Sequence, residues 1–196
     1  KEEDILSSRT LLKQGVAIDR FLQSVIVDKK LNSESMLIGD KNALIVAARC
    51  SGYGIDYGTT ITCPNCTANS SINIDLEDAK QPYAGYNTDE AEEPLEGVEG
   101  PDAAGNYFIT LPVSKARFEV KLMTGREEKA FAKRLETRRK KRQAEAMMTD
   151  QFKTFTLSIN GVGDLRQMYK FIDNLPVRDS RFLRNQYQKL SPALNL

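Results

Sequence analysis

The 196-residue sequence contains no histidine and no tryptophan, three cysteines and no excess of either charge. Each lack removes a class of function. Without His the chain holds no Ser-His-Asp or Cys-His nucleophile, no imidazole general base and no His-built metal site. Three Cys is an odd count in a chain long enough to bury its own core, which argues against a disulfide scaffold and for a reducing compartment. No stretch reaches the roughly 18–20 apolar residues that cross a bilayer. The opening KEEDILSSRT lacks the layout of a secretory signal. Lys and Arg number 28 against 27 acids, so any nucleic-acid footprint has to be local. What is present, 40% hydrophobic and 28% charged residues, is enough for one large domain or two small ones. A cytosolic protein without a membrane segment is the expectation.

The chain divides by composition. In residues 1–76, Val16, Ile18, Phe21, Leu22, Val25 and Ile26 fall roughly on one helical face. A second helix is expected from Asp40, as N-cap, through the apolar run Ala43 to Ala48, which reads as buried, to a stop at SGYG. Thr59–Thr62 and the alternating Ser71–Leu76 predict a hairpin around the CPNC turn. Residues 77–106 carry nine acids against one base, with three Pro and four Gly, and read as a long acidic loop or linker, mobile unless a partner orders it. In residues 107–196 a second short hairpin, Tyr107–Leu111 with Phe118–Leu122, precedes a set of helices. Thr124 and Glu127 fit a capping box for the first of these, expected to run to about Met147. Another is expected from Thr149 or Asp150 with Phe152, Phe155 and Ile159 inward, and two more capped by Asp164 and Ser180. The fold class is α+β. Whether the two hairpins share a sheet, making one domain with an inserted loop, stays open.

The most chemical feature is the CPNC pair, Cys63 and Cys66. Two thiolates at this spacing on a tight turn form a zinc knuckle, half of a tetrahedral site. A structural Zn²⁺ needs four donors, so the pair is incomplete. Cys50 is the candidate third ligand. A carboxylate such as Asp56, residues beyond the chain ends or another chain would supply the fourth. Inert reduced thiols are the plain alternative. A redox role is weaker, because a thioredoxin-type pair opens a helix and Thr67–Leu76 reads as strand.

Arg138, Arg139, Lys140, Lys141 and Arg142 form an unbroken basic run. It can contact phosphates, but four acids share its helix and no aromatic interleaves with it, so a solvated face is the blander reading. A third reading pairs it with the acidic loop, within the chain or between subunits. The aromatics Phe152, Phe155, Tyr169, Phe171, Phe182 and Tyr187 exceed what one thin helical layer needs, which marks this region, with the basic run, as partner-binding. No carboxylate pair stands in an apolar frame, and Gly52, Gly54 and Gly58 lack the Gly-Lys-Ser/Thr ending of a phosphate loop. Nothing in these residues points to an enzyme.

The stretch MLIGDKNALIVAARCSGYGIDYGTTITCPNC, Met36 to Cys66, followed by SINIDL, resembles the baseplate protein family of T-even-type bacteriophages, the hub subunits and hub assembly proteins of contractile tails. FITLPVSKARFEVKLMTGREEK, FTLSINGVGD and FIDNLPVRDSRFLRNQY resemble the same family's second half. The likeness covers most of the chain, with the acidic loop as its variable part. It implies no catalytic activity, and a role either in the finished hub or as a chaperone that leaves after assembly, in the host cytoplasm or the virion baseplate. The implied partners are other tail proteins, the tape-measure protein among them. Some members carry a second Cys-x-x-Cys beyond a segment like SPALNL, here residues 191–196, so the likeness implies zinc ligands additional to Cys63 and Cys66. The alternative function is a zinc-stabilised nucleic-acid-binding module using Arg138–Arg142, disfavoured for the reasons given for that helix.

Overall fold

The structure, a computed structural model, describes residues 2–76, 95–142 and 146–190. These fall into two compact units, one within residues 2–76 and the other within 95–190. The two hairpins do not share a sheet. Both units mix helix and strand, so the molecule is α+β.

The first unit starts with helices α1 (Glu2–Ser7), α2 (Arg9–Lys13) and α3 (Ala17–Val25). Ala17, Leu22 and Ile26 are its buried apolar residues in this stretch. Asp19 of α3 reaches the buried Lys41 at 3.0 Å. Lys41 belongs to α4 (Ile38–Tyr53), which begins ahead of the expected cap, leaving Asp40 in its first turn. Gly54 ends it at φ 84°, donating its N–H to the Cys50 carbonyl at 3.0 Å. The expected burial of α4 does not hold, since only Gly39, Lys41 and Val46 are buried. The reason is a lack of layers: a helix apolar all round needs cover on every side, and this unit offers a few short helices and one hairpin. That hairpin joins β1 (Asp56–Thr62) to β2 (Asn69–Asp75), with Tyr57 opposite Ile74, Thr59 opposite Ile72 and Ile61 opposite Ser70.

The second unit is built on an antiparallel sheet in the order β3-β4-β5-β6. Its strands are β3 (Val98–Glu99), β4 (Tyr107–Thr110), β5 (Arg117–Val120) and β6 (Thr156–Ile159). Period-two alternation sorts its faces. Ile109, Phe118 and Ile159 line up across three strands and are all buried, whereas Phe108, Glu119 and Ser158 line up on the other face. The helices are α5 (Gly125–Lys140), α6 (Met147–Phe155), α7 (Leu165–Asp173) and α8 (Val177–Leu190). From the last three, Phe152, Phe155, Met168, Ile172, Leu183 and Tyr187 complete the core.

Two helices start ahead of their expected caps: α8 begins at Val177, which leaves Ser180 inside its first turn, and α6 begins at Met147 rather than at Thr149 or Asp150. Three further expectations need correction. The segment 77–106 is not one loop: β3 pairs with β4, and Asp102 accepts the N–H groups of Ala104 and Asn106 at 2.8 Å each, so residues 95–106 belong to the second unit. The rest of that segment, 77–94, lies outside the described residues, as does 191–196. Helix α5 stops at Lys140, and Met147 opens a separate helix. The helix expected to carry both Phe152 and Ile159 ends at Phe155, and Thr156–Ile159 is strand β6. Phe152, Phe155 and Ile159 do sit at helical spacing, but Thr156-Leu157-Ser158-Ile159 alternates, and the partner strand that claims it lies far away in sequence.

Candidate functional site

The CPNC turn tops the first unit's hairpin, and the hairpin's base is fixed by Arg49. Its guanidinium donates to the carbonyls of Gly54 at 2.9 Å and Asp56 at 3.2 Å. It also lies 5.1 Å from the Tyr53 ring centre and 6.0 Å from that of Tyr57, within cation–π range. The Tyr53 hydroxyl donates to Glu3 at 2.8 Å, which pushes its ionisation above the ordinary tyrosine range. Sequence reading missed this Arg49–Tyr53–Tyr57 group. The spacing of four across each gap was its only local signal.

Farther out the hairpin is bare. Tyr57, Thr59, Ile61, Ser70, Ile72 and Ile74 share one face. Only the inner end of that face is covered: Ile74 and Cys50 pack against Val46 and Leu76. Ile72 is 41% exposed and Ile61 51%. From Tyr57 to Ile74 the sequence contains no Asp, Glu, Lys or Arg.

At the tip, the Cys63 N–H donates to the Ala68 carbonyl and the Thr67 N–H to the Cys63 carbonyl, both at 2.9 Å. Thr67 sits at φ 55°, an unusual conformation for a β-branched residue. The Cys63 thiol is held below its ordinary ionisation range by the N–H groups of Cys66 and Asn65 and by a hydrogen bond with the Cys66 thiol. Cys63 is half-buried and Cys66 exposed.

Cys50 does not join them. It packs near Ile74, which faces Tyr57 at the inner end of the hairpin, about 20 Å from the tip at ~3.3 Å per residue. Asp56 pairs with Asp75 at the same inner end, so it is no ligand for this tip either. Among the described residues no three His, Cys, Asp or Glu side chains gather in a metal-sized group. Of the expected ligands, Cys63 and Cys66 alone share this turn.

The basic run is partly committed elsewhere. Arg138 grips the buried Asp150, Nε to Oδ2 at 2.9 Å and Nη2 to Oδ1 at 3.1 Å. Lys140 pairs with Glu136 at 2.7 Å. Arg139 and Lys141 are exposed, and Arg142 turns out of the helix at φ 51°. Arg138 is therefore a packing residue.

The aromatic set is corrected in the same way. Phe152, Phe155 and Tyr187 are core residues, with the Phe155 and Tyr187 rings stacked at 3.8 Å. Phe171 lies at the core's edge, 6.1 Å from Phe118 and 37% exposed. Phe182 is half-buried against Gly97, where a Cβ would come within 3.3 Å of its ring. The count of aromatics was right, but a four-stranded sheet under the helices needs more of them than a thin layer does.

No family model, curated protein or solved structure matches this chain. Among the described residues, no helix is long and apolar enough to cross a membrane.

Proposed function

We propose that this chain is a non-enzymatic binding protein of the phage tail baseplate, a hub subunit or hub-assembly chaperone that holds other tail proteins. The observation that carries the binding role is the uncovered apolar surface of the first unit's helices and of the loop that follows α3. Leu12, Ile18, Val25, Val27 and Leu31 are all exposed, Val27 at 94%, and the apolar α4 has few buried residues. Single exposed apolar side chains are ordinary; this many in one small unit mark a surface that a partner covers. The tail assignment is supported by the sequence resemblance alone. The absence of His fits a role without acid–base chemistry.

A tagged full-length chain, recovered from infected cells and analysed by mass spectrometry, is expected to bring down hub or tape-measure proteins. Recovery of no tail protein, together with retarded migration of DNA at physiological salt, would replace this reading with the nucleic-acid one. Mass spectrometry of mature particles separates the two forms of the proposal: a subunit stays in the virion and a chaperone does not. Host cytoplasm during assembly is the proposed location in both.

A further inference from the structure

We propose that Cys63 and Cys66 are one half of a zinc site that two copies of this chain complete, each copy presenting its CPNC tip. The inference stands apart from the tail assignment, since it uses the hairpin rather than the helical surface.

Three observations lead to it. First, the CPNC turn carries both cysteines on one closed loop at the end of the hairpin, Cys63 half-buried and Cys66 exposed. The left-handed Thr67 and the two 2.9 Å backbone bonds hold this loop closed. Thiolates are soft donors, which select Zn²⁺ over the oxygen-seeking Mg²⁺ and Ca²⁺. Second, a closed zinc site takes four donors, and the hairpin cannot provide the other two. It has no carboxylate between Tyr57 and Ile74, and both Asp56 and Cys50 lie at its far end. Third, the surface next to the tip suits a copy of itself. It is apolar through Ile61 and Ile72 and carries no charge, so two such faces meet without repulsion and offer a charged partner nothing to pair with. A two-fold contact brings identical patches together and sets both tips beside the axis, where 2 + 2 thiolates close a tetrahedron.

The chemistry balances without redox change. Four Zn–S bonds form, and each thiol gives up its proton to solvent, so binding weakens as pH falls.

The test uses the reduced 196-residue chain titrated with Co²⁺, a spectroscopic substitute for zinc, while light scattering follows its mass. Saturation at one ion per two chains is expected, with the absorption of a tetrathiolate site and a mass of twice 22.0 kDa. EDTA should return the monomer. Cys63→Ser and Cys66→Ser should each abolish both signals with the far-ultraviolet circular dichroism unchanged. Ile72→Lys keeps all the thiols but sets like charges face to face, and should raise the chain concentration needed for dimerisation at least tenfold. Saturation at one ion per chain in a monomer would overturn the proposal, as would the lack of a tetrathiolate spectrum or a dimer indifferent to EDTA.

Discussion

Two carboxylates show how much a single buried acid can settle. Asp179 is fully buried in the first turn of α8, and its oxygens accept the N–H groups of Val113 and Ser114, each at 2.8 Å. Burial alone would raise its pKa; hydrogen bonds from the Ser114 hydroxyl and from the Val113 and Ser114 amides outweigh that and lower it. The sign follows from linkage: a folded-state pKa below the unfolded one gives stability that is complete above the unfolded value and is lost as pH falls through the folded one. Asp179→Ala should cost about 2 kcal/mol in urea melts at pH 7, because two N–H groups lose their acceptor. Its deficit relative to wild type should shrink below about pH 4, the ordinary Asp range. A pH-independent deficit would mean that the carboxylate's charge is not what holds the turn. Asp150 makes the parallel case. Arg138→Ala strands its buried charge and should cost roughly 3 kcal/mol, whereas Lys141→Ala should stay within about 0.5 kcal/mol, as surface changes do. Equal losses in the two variants would return Arg138 to the solvated face that its sequence suggests. Neither acid could be read from the sequence as a buried ligand of distant groups, since Asp179 and the turn it holds are separated by more than sixty residues.

Elements were legible where their signals are local. The Thr124–Glu127 box appears as expected, Glu127 accepting the N–H of Thr124 at 2.8 Å while also pairing with Lys121. Asp164 caps α7 by accepting the N–H of Gln167 at 2.9 Å. The hairpin around CPNC was legible from its Thr-rich strand and its Pro-containing turn. Strand β6 was not, because the phenylalanine spacing before it mimics a helix and its partner, β5, lies far off in sequence. Helix α8 shows a tie of the same non-local kind. The Tyr187 hydroxyl donates to the Lys121 carbonyl and accepts from the Met123 N–H, both at 3.1 Å, so α8 is fastened to the chain just after β5. Burial pushes this phenol's ionisation far up, so it remains a neutral donor. Tyr187→Phe keeps the stack on Phe155 and should cost about 1 kcal/mol. Tyr187→Ala should cost ~3–5 kcal/mol, in the range for removing a core aromatic. If the Phe variant melted like wild type, the ring alone would be the fastening.

At the scale of the molecule the two units are unequally built. Among the described residues the first buries Ala17, Leu22, Ile26, Val46 and Leu76, while the second buries thirteen apolar residues with Phe118 and Phe155 at their centre. Local stability follows such burial. Amides of β1 and β2 should exchange with deuterium at least ~100-fold faster than those of β4 and β5, as judged by mass spectrometry of peptides. Uniform protection would show the hairpin to be as well supported as the sheet. This inequality was half visible beforehand: the composition of 77–106 suggests a divide between two regions, but the apolar run in α4 promised a core that the first unit does not have. The bare hairpin has one more consequence, for the chain's life before assembly. Among the described residues no third strand pairs with β1 or β2, and a two-stranded ribbon with open edges and no Lys or Glu to guard them is a template for stacking. The protein's shelf life is then set by how soon those edges are covered. Concentrated, metal-free samples should gain thioflavin fluorescence over days, and Ile61→Lys should delay it. A chain with this hairpin is best made alongside whatever covers it.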